Sequence, residues 1–268
     1  AWKSERLSHA LLFYGPQGTG KEGHALELAA MLNCGEVQDK GPCGNCVSCK
    51  KTKSFQHESV KLILPLPRGG ISSSNDPTMK AFRNKKALQD YLEMLKRKST
   101  EPYFSMQVSG AHTILINSIR ELKHDVSMST VNNEWKVILI FQAEKLCVPS
   151  PAAAHALLKV LEEPPERTVF ILVSSQPNVI LETIHSRCQS LYFPPISNVV
   201  IQNQLIQSGT EQVQAAVIAR ISSGNVGLSR QLKDDYSDTM EKLYTFLNAC
   251  FSKDPSVWEK CIDISVRF

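Results

Sequence analysis

Two stretches of this sequence have residue types and spacing suited to chemistry. The first is Gly15-Pro16-Gln17-Gly18-Thr19-Gly20-Lys21, which matches G-x-x-x-x-G-K. Glycines at such positions let backbone N–H groups wrap a phosphate, and the lysine reaches the terminal phosphates. The second is Cys34-x8-Cys43-x2-Cys46-x2-Cys49. Four thiolates with two successive x2 spacings can close a tetrahedron around Zn²⁺, with Gly44 permitting the tight turn, and four protein ligands make such a site structural rather than catalytic. The spacing alone also accepts an iron–sulfur cluster, or four free thiols.

The phosphate loop departs from a hydrolysing pattern at two places. The residue after the lysine should carry a hydroxyl for magnesium, and here it is Glu22, a carboxylate that would repel phosphates. The second magnesium ligand should be an aspartate at the end of a buried strand, the Walker B position. The run Val137-Ile138-Leu139-Ile140-Phe141 ends in Gln142, which carries no charge. Either loss alone could be tolerated; together they predict that hydrolysis has been abandoned. The loop amides and Lys21 keep weak ATP binding open, whereas Mg²⁺ is not held in the usual form.

These residues need elements to position them. Ala10 to Tyr14 is a short apolar run leading into the loop, and Ala25, Leu28, Ala29 and Leu32 follow at helical spacing, so the order is strand, loop, helix. Val60–Leu64, Trp135–Phe141 and Val169–Val173 read as further strands. Ile116, Ile119, Leu122 and Val126 form one helix face, and Ala152–Glu162 is a helix stopped by Pro164-Pro165. Continuous apolar strands alternating with helices predict an α/β fold with a parallel sheet covered on both faces. Residues 65–77 carry proline, glycine and serine, which predicts a mobile loop. Lys80–Lys98 is lysine-rich, with Leu88, Tyr91, Leu92 and Leu95 at helical spacing, and predicts an exposed helix. Beyond Pro194-Pro195 the strands end. Val199–Leu232 reads as helical throughout, a separate small domain, and another helical segment begins at Tyr236.

The 268 residues, 42% hydrophobic and 21% charged, suffice for one large domain and one or two small ones, and exclude a globally disordered chain. A net charge of +4, scattered along the chain, permits nucleic-acid contact without arguing for it. No apolar run approaches the roughly 20 residues of a membrane helix. No signal-peptide pattern is visible, so reduced thiols and a cytoplasmic location are expected. The chain opens at Ala1-Trp2 and stops within an apolar pattern at 264–268, as a piece of a longer protein would.

Taken together, these features resemble the clamp-loader subunits of bacterial DNA polymerase III. The resemblance is carried by Leu7-Ser8-His9-Ala10-Leu11-Leu12-Phe13, the cysteine module directly after the loop's helix, the run Leu157-Leu158-Lys159-Val160-Leu161-Glu162-Glu163-Pro164-Pro165, and the triplet Ser186-Arg187-Cys188. It covers about residues 1–235 except an insertion at about 64–112. It implies an AAA+ nucleotide-binding domain over 1–196 with a zinc module at 34–49, a helical lid over 197–235, and the start of a helical collar over 236–268. The departures at Glu22 and Gln142 make the chain resemble the delta-prime type, whose own ATPase is usually absent. Its partners would be the other clamp-loader subunits in a five-membered ring, the sliding clamp and primed DNA, within a holoenzyme that is a nucleotidyltransferase.

Residue roles follow from the same resemblance. Arg187 would be an arginine finger acting in trans on ATP held by a neighbouring subunit. Gly15, Gly18, Gly20 and Lys21 would form a degenerate nucleotide pocket. Gly227-Leu228-Ser229-Arg230 resembles a sensor-2 element that would bring Arg230 to that pocket, and Ser174 or Ser175 falls where a sensor-1 residue is expected. Two other readings stay open: an active gamma/tau-type ATPase, and a zinc-bearing DNA-binding module using the basic 80–98 stretch.

Overall fold

A computed structural model describes residues 7–73, 75–127 and 134–251. The chain divides between Pro195 and Ile196 into two units. The first is built on five strands, β1 (Ala10–Tyr14), β2 (Val60–Ile63), β3 (Lys136–Phe141), β4 (Thr168–Ser174) and β5 (Gln189–Tyr192). All pair in parallel, in the order β2-β3-β4-β1-β5. The helices are α1 (Lys21–Leu32), α2 (Val47–Lys53), α3 (Lys85–Thr100), α4 (Ile116–Ser127), α5 (Ala152–Glu162) and α6 (Glu182–His185). This is the α/β fold with a parallel sheet covered on both faces that the strand and helix pattern predicted.

The strand sequences explain the layering. Every residue of β4 is buried, and so is β3 after Lys136. Side chains alternate across a strand, and the core alternates with them. Leu12, Ile138, Ile140, Phe170 and Leu172 face α4 and α5 through Ile119, Leu122, Leu157 and Leu161. Leu11, Phe13, Leu139, Phe141, Ile171 and Val173 face α1 through Ala25, Ala29 and Leu32. A strand buried on both faces has no polar side to show, which is why these runs read as continuously apolar. The edge strand β5 was not expected: its four residues are all exposed, so no buried pattern announces it.

The inserted segment is folded and attached to the α1 side. Its ends are tied by an antiparallel bridge between Leu66 and Thr113. The predicted helix runs from Lys85 to Thr100, five residues later than the lysine-rich stretch begins, because Asn84 caps it by accepting from the Ala87 N–H. The helix is exposed along one side, as expected, but its other side is packed. Met94 and Lys98 are buried, and Tyr91 and Leu95 pack against the same core as α1. Among its described residues, the stretch expected to be a mobile loop forms no helix or extended strand, but it is closed by Asp76, whose carboxylate accepts from the N–H groups of Ser72 and Ser73. The Lys80 ammonium donates to it as well and holds its carboxyl well below the usual carboxylate range.

The second unit contains α7 (Asn198–Gln207), α8 (Gln212–Ser222), α9 (Val226–Asp234) and α10 (Tyr236–Phe251). The stretch expected to be helical throughout is therefore three helices. Left-handed residues break it at Gly209 and at Ser223-Gly224. Ser197 and Asn225 cap α7 and α9. Ile201, Leu205, Ala215, Ile218 and Val226 are buried in this unit. The expected collar residues beyond 251 lie outside the described residues.

Candidate functional site

The glycine loop leaves β1 and enters α1, as its sequence context requires. Gly15, Gly18 and Gly20 all have positive φ. At Gly15 the constraint is doubled, since a Cβ there would lie 2.1 Å from the carbonyl oxygen of Phe193. Gly15→Ala is accordingly expected to displace the chain beyond β5 and to destabilise the protein by more than about 1 kcal/mol, measurable by denaturant titration. Lys21 is 5% exposed. Its ammonium donates to the carbonyls of Gly15, at 2.8 Å, and Pro16. Burial pulls its pKa down to about 8, against the opposing pull of the Glu22 and Glu144 carboxylates.

Glu22 and Gln142, the two positions where magnesium ligands were expected, are both engaged by the insertion. Glu22 forms an ion pair with Lys98 of α3, whose side chain is 2% exposed. The same ammonium donates to the carbonyls of Pro102, at 2.8 Å, and Phe104, at 2.6 Å. Glu22 is therefore not the uncompensated repeller that its position suggested. Gln142, in a left-handed conformation at the end of β3, donates through Nε2 to the Met106 carbonyl at 2.6 Å. Between these anchors, Tyr103 and Pro102 lie against the loop and its helix. A Cβ on Gly20 would stand 3.2 Å from Tyr103 Cε1, and one on Gly23 would stand 3.5 Å from Pro102 Cβ.

Ser174 ends β4 and donates to the buried Glu144 carboxylate at 2.6 Å, which places the first sensor-1 candidate beside the one acid that acts on Lys21 from the β3 side. Arg187 follows α6 and is half-buried. It donates to the Thr183 carbonyl at 2.9 Å and to Glu162 Oε1 at 2.8 Å, so the Ser-Arg-Cys triplet is joined to the end of the Leu157–Pro165 run. Arg230 lies on α9 in the second unit.

Sequence reading missed Lys98, Tyr103, Met106 and Glu144. One signal existed: Tyr91, Met94, Leu95 and Lys98 share the i, i+3, i+4, i+7 spacing of a buried face, and a lysine on such a face needs a partner. The basic stretch from 80 to 98 is also less free for DNA than it looked, with Lys98 buried and Lys80 paired to Asp76.

The four cysteines converge, with all four sulfurs within 4.8 Å of one another. The Cys43 and Cys49 sulfurs are 3.9 Å apart, close to the edge of about 3.8 Å expected for a tetrahedron with Zn–S bonds of about 2.3 Å. Thiolates on different irons of a cluster would stand farther apart than the 4.8 Å that bounds all four sulfurs here. The N–H groups of Cys43, Cys46 and Cys49 donate to the sulfurs of Cys34, Cys43 and Cys46 respectively. The Cys49 N–H is the main cause pulling the Cys46 thiol down to about 6, while burial pushes Cys49 up to about 12. The residues present fit one tetrahedral metal ion. Below them, His57 is buried, accepts from the Ser59 N–H through Nδ1 and meets the Ser48 hydroxyl through Nε2 at 2.9 Å.

A family model described as DNA polymerase III, delta subunit, matches residues 1–197. The DNA polymerase III subunit delta' of Bacillus subtilis is 30% identical over 244 residues, which are 90% of this chain and 59% of that protein. The subunit tau of the same organism is 28% identical over 226 residues, 83% of this chain and 32% of that protein. The delta' subunit of Escherichia coli is 25% identical over 233 residues, 87% of this chain and 56% of that protein. The chain thus spans less than two thirds of the length of these relatives. A solved DNA polymerase III gamma subunit-related protein from Thermotoga maritima superposes with a TM-score of 0.44 at 16% identity, covering 93% of this chain and 74% of that one. With the family matched across most of the chain and delta' subunits among its relatives, this chain belongs to the DNA polymerase III delta-subunit family, as a clamp-loader subunit of delta-prime type.

Proposed function

We propose that this chain is a non-hydrolysing member of the clamp-loader ring, which scaffolds its neighbours and supplies Arg187 in trans while ATP is used elsewhere to load the sliding clamp onto primed DNA. One observation carries this reading: both positions at which a hydrolysing loop would hold magnesium, Glu22 and Gln142, are bonded instead to residues of the insertion. Magnesium neutralises charge on the transferred phosphate and fixes its geometry. A loop whose magnesium positions are occupied by protein contacts keeps the shape of the site without its chemistry. In this reading the cysteines hold a structural Zn²⁺, Gly15, Gly18, Gly20 and Lys21 are a relic pocket, residues 197–235 are the lid carrying Arg230, and 236–268 begin the collar.

The isolated chain is expected to hydrolyse ATP at the level of a protein-free blank, measured as phosphate release with magnesium present. Turnover that rises with magnesium and disappears in Lys21→Ala would instead establish the gamma/tau-type ATPase.

A further inference from the structure

We propose that residues 98–106 are an internal seal on the glycine loop, and that this seal, not the loop's own sequence, keeps nucleotide out. The inference rests on reading Gly15 to Lys21 as a nucleotide loop, and assigns the insertion a task there. Three separate contacts fasten the segment. At one end the buried Lys98 ammonium joins Glu22 and, through the Pro102 and Phe104 carbonyls, curls residues 98–104 into a closed turn. At the other end Gln142 grips the Met106 carbonyl, and the Met106 side chain is fully buried. Between them Tyr103 lies over Gly20 and Pro102 over Gly23, at the N-terminus of α1, where phosphate oxygens would meet the loop amides. Arg97 stiffens the turn, stacked 4.4 Å over the Phe104 ring and paired with Glu101.

The two substitutions that remove magnesium chemistry thus have a positive use. Serine or threonine at position 22 would leave the Lys98 ammonium buried without a counter-charge, which is costly. An aspartate at position 142 would have no hydrogen to give the Met106 carbonyl. Lys21, meanwhile, spends its donors on the carbonyls of its own loop.

The test is calorimetric titration of the full chain with ATP, with and without magnesium, alongside hydrogen exchange of the amides from 101 to 106. The double variant Pro102→Gly/Tyr103→Ala opens the middle of the seal and spares the buried ion pair, so it folds even if the second variant, Lys98→Met, does not. A site that is competent only one part in a hundred binds about 100-fold more weakly than its intrinsic affinity. The open variants are therefore expected to exchange faster at 101–106 and to bind ATP about 10- to 100-fold more tightly than the parent. Parent and variants binding ATP equally would overturn the seal. So would variants whose segment exchanges freely yet still bind no ATP. Neither result bears on hydrolysis, which the phosphate-release assay reads separately.

Discussion

Arg187→Ala is expected to leave the chain folded, metal-loaded and able to assemble, while the ATPase rate of the reconstituted clamp loader falls. An arginine finger spreads its positive charge over the oxygens of the transferred phosphate, and such a residue is worth about 10³–10⁵ in rate at a single site. The loss over the whole complex is smaller, because sites completed by other subunits keep their fingers. Arg187→Lys should fail nearly as badly, since an ammonium cannot reproduce the planar fork of donors. The fork is already set: one terminal nitrogen of Arg187 is held by the Thr183 carbonyl and the other by Glu162. Glu162→Gln therefore provides a graded control. It removes the charge partner, leaves the guanidinium in place, and is expected to change the rate far less than Arg187→Ala. The measurement is steady-state ATP hydrolysis by the complete complex with sliding clamp and primed DNA. Equal rates with parent and Arg187→Ala chains would remove the finger role.

The second large effect concerns the metal. Elemental analysis is expected to find one zinc per chain, and Cys46→Ser to lose it. An ion that binds only the folded chain, at a free concentration about 1,000 times its Kd, contributes about 4.1 kcal/mol. For a chain of this size each kcal/mol moves the unfolding midpoint by about 2–4 °C, so a drop of about 10 °C is expected in Cys46→Ser or after chelation. The change should be local. Hydrogen exchange should rise across residues 34–57 while β3 and β4, buried along nearly their whole length, stay protected. Acidification should release the ion, because the ligands must be thiolates. Finding no metal, or finding iron, would refute the zinc assignment.

The core strands and both chemical clusters were legible because each obeys a local rule. β1 was read at its observed limits, and α5 was bounded by the Pro164-Pro165 stop. The convergence of the cysteines was readable because ligand spacing of this kind is short-range in sequence. The insertion was not, and the reason is physical. Its meaning lies in pairs far apart in sequence, Lys98 with Glu22 and Gln142 with Met106, and no periodicity connects them. A lysine-rich helix reads as solvated unless one lysine is seen to lie on the apolar side. Strand β5 was hidden for the opposite reason, since an exposed edge strand carries no buried signature at all.

Helix α1 is held at both ends. Its first turn is tied to α3 through Glu22 and Lys98. Just past its last turn, Asn33 exchanges two hydrogen bonds with Trp135, donating to its carbonyl at 2.9 Å and accepting from its N–H at 2.8 Å, and Cys34 enters the cysteine cluster immediately after. A helix anchored at one end can tilt like a cantilever when something pushes on the other. One clamped at both ends behaves as a fixed beam, and a load applied to it passes into the sheet rather than into rotation. The loop helix of this chain is thus braced against tilting by contacts at both of its ends.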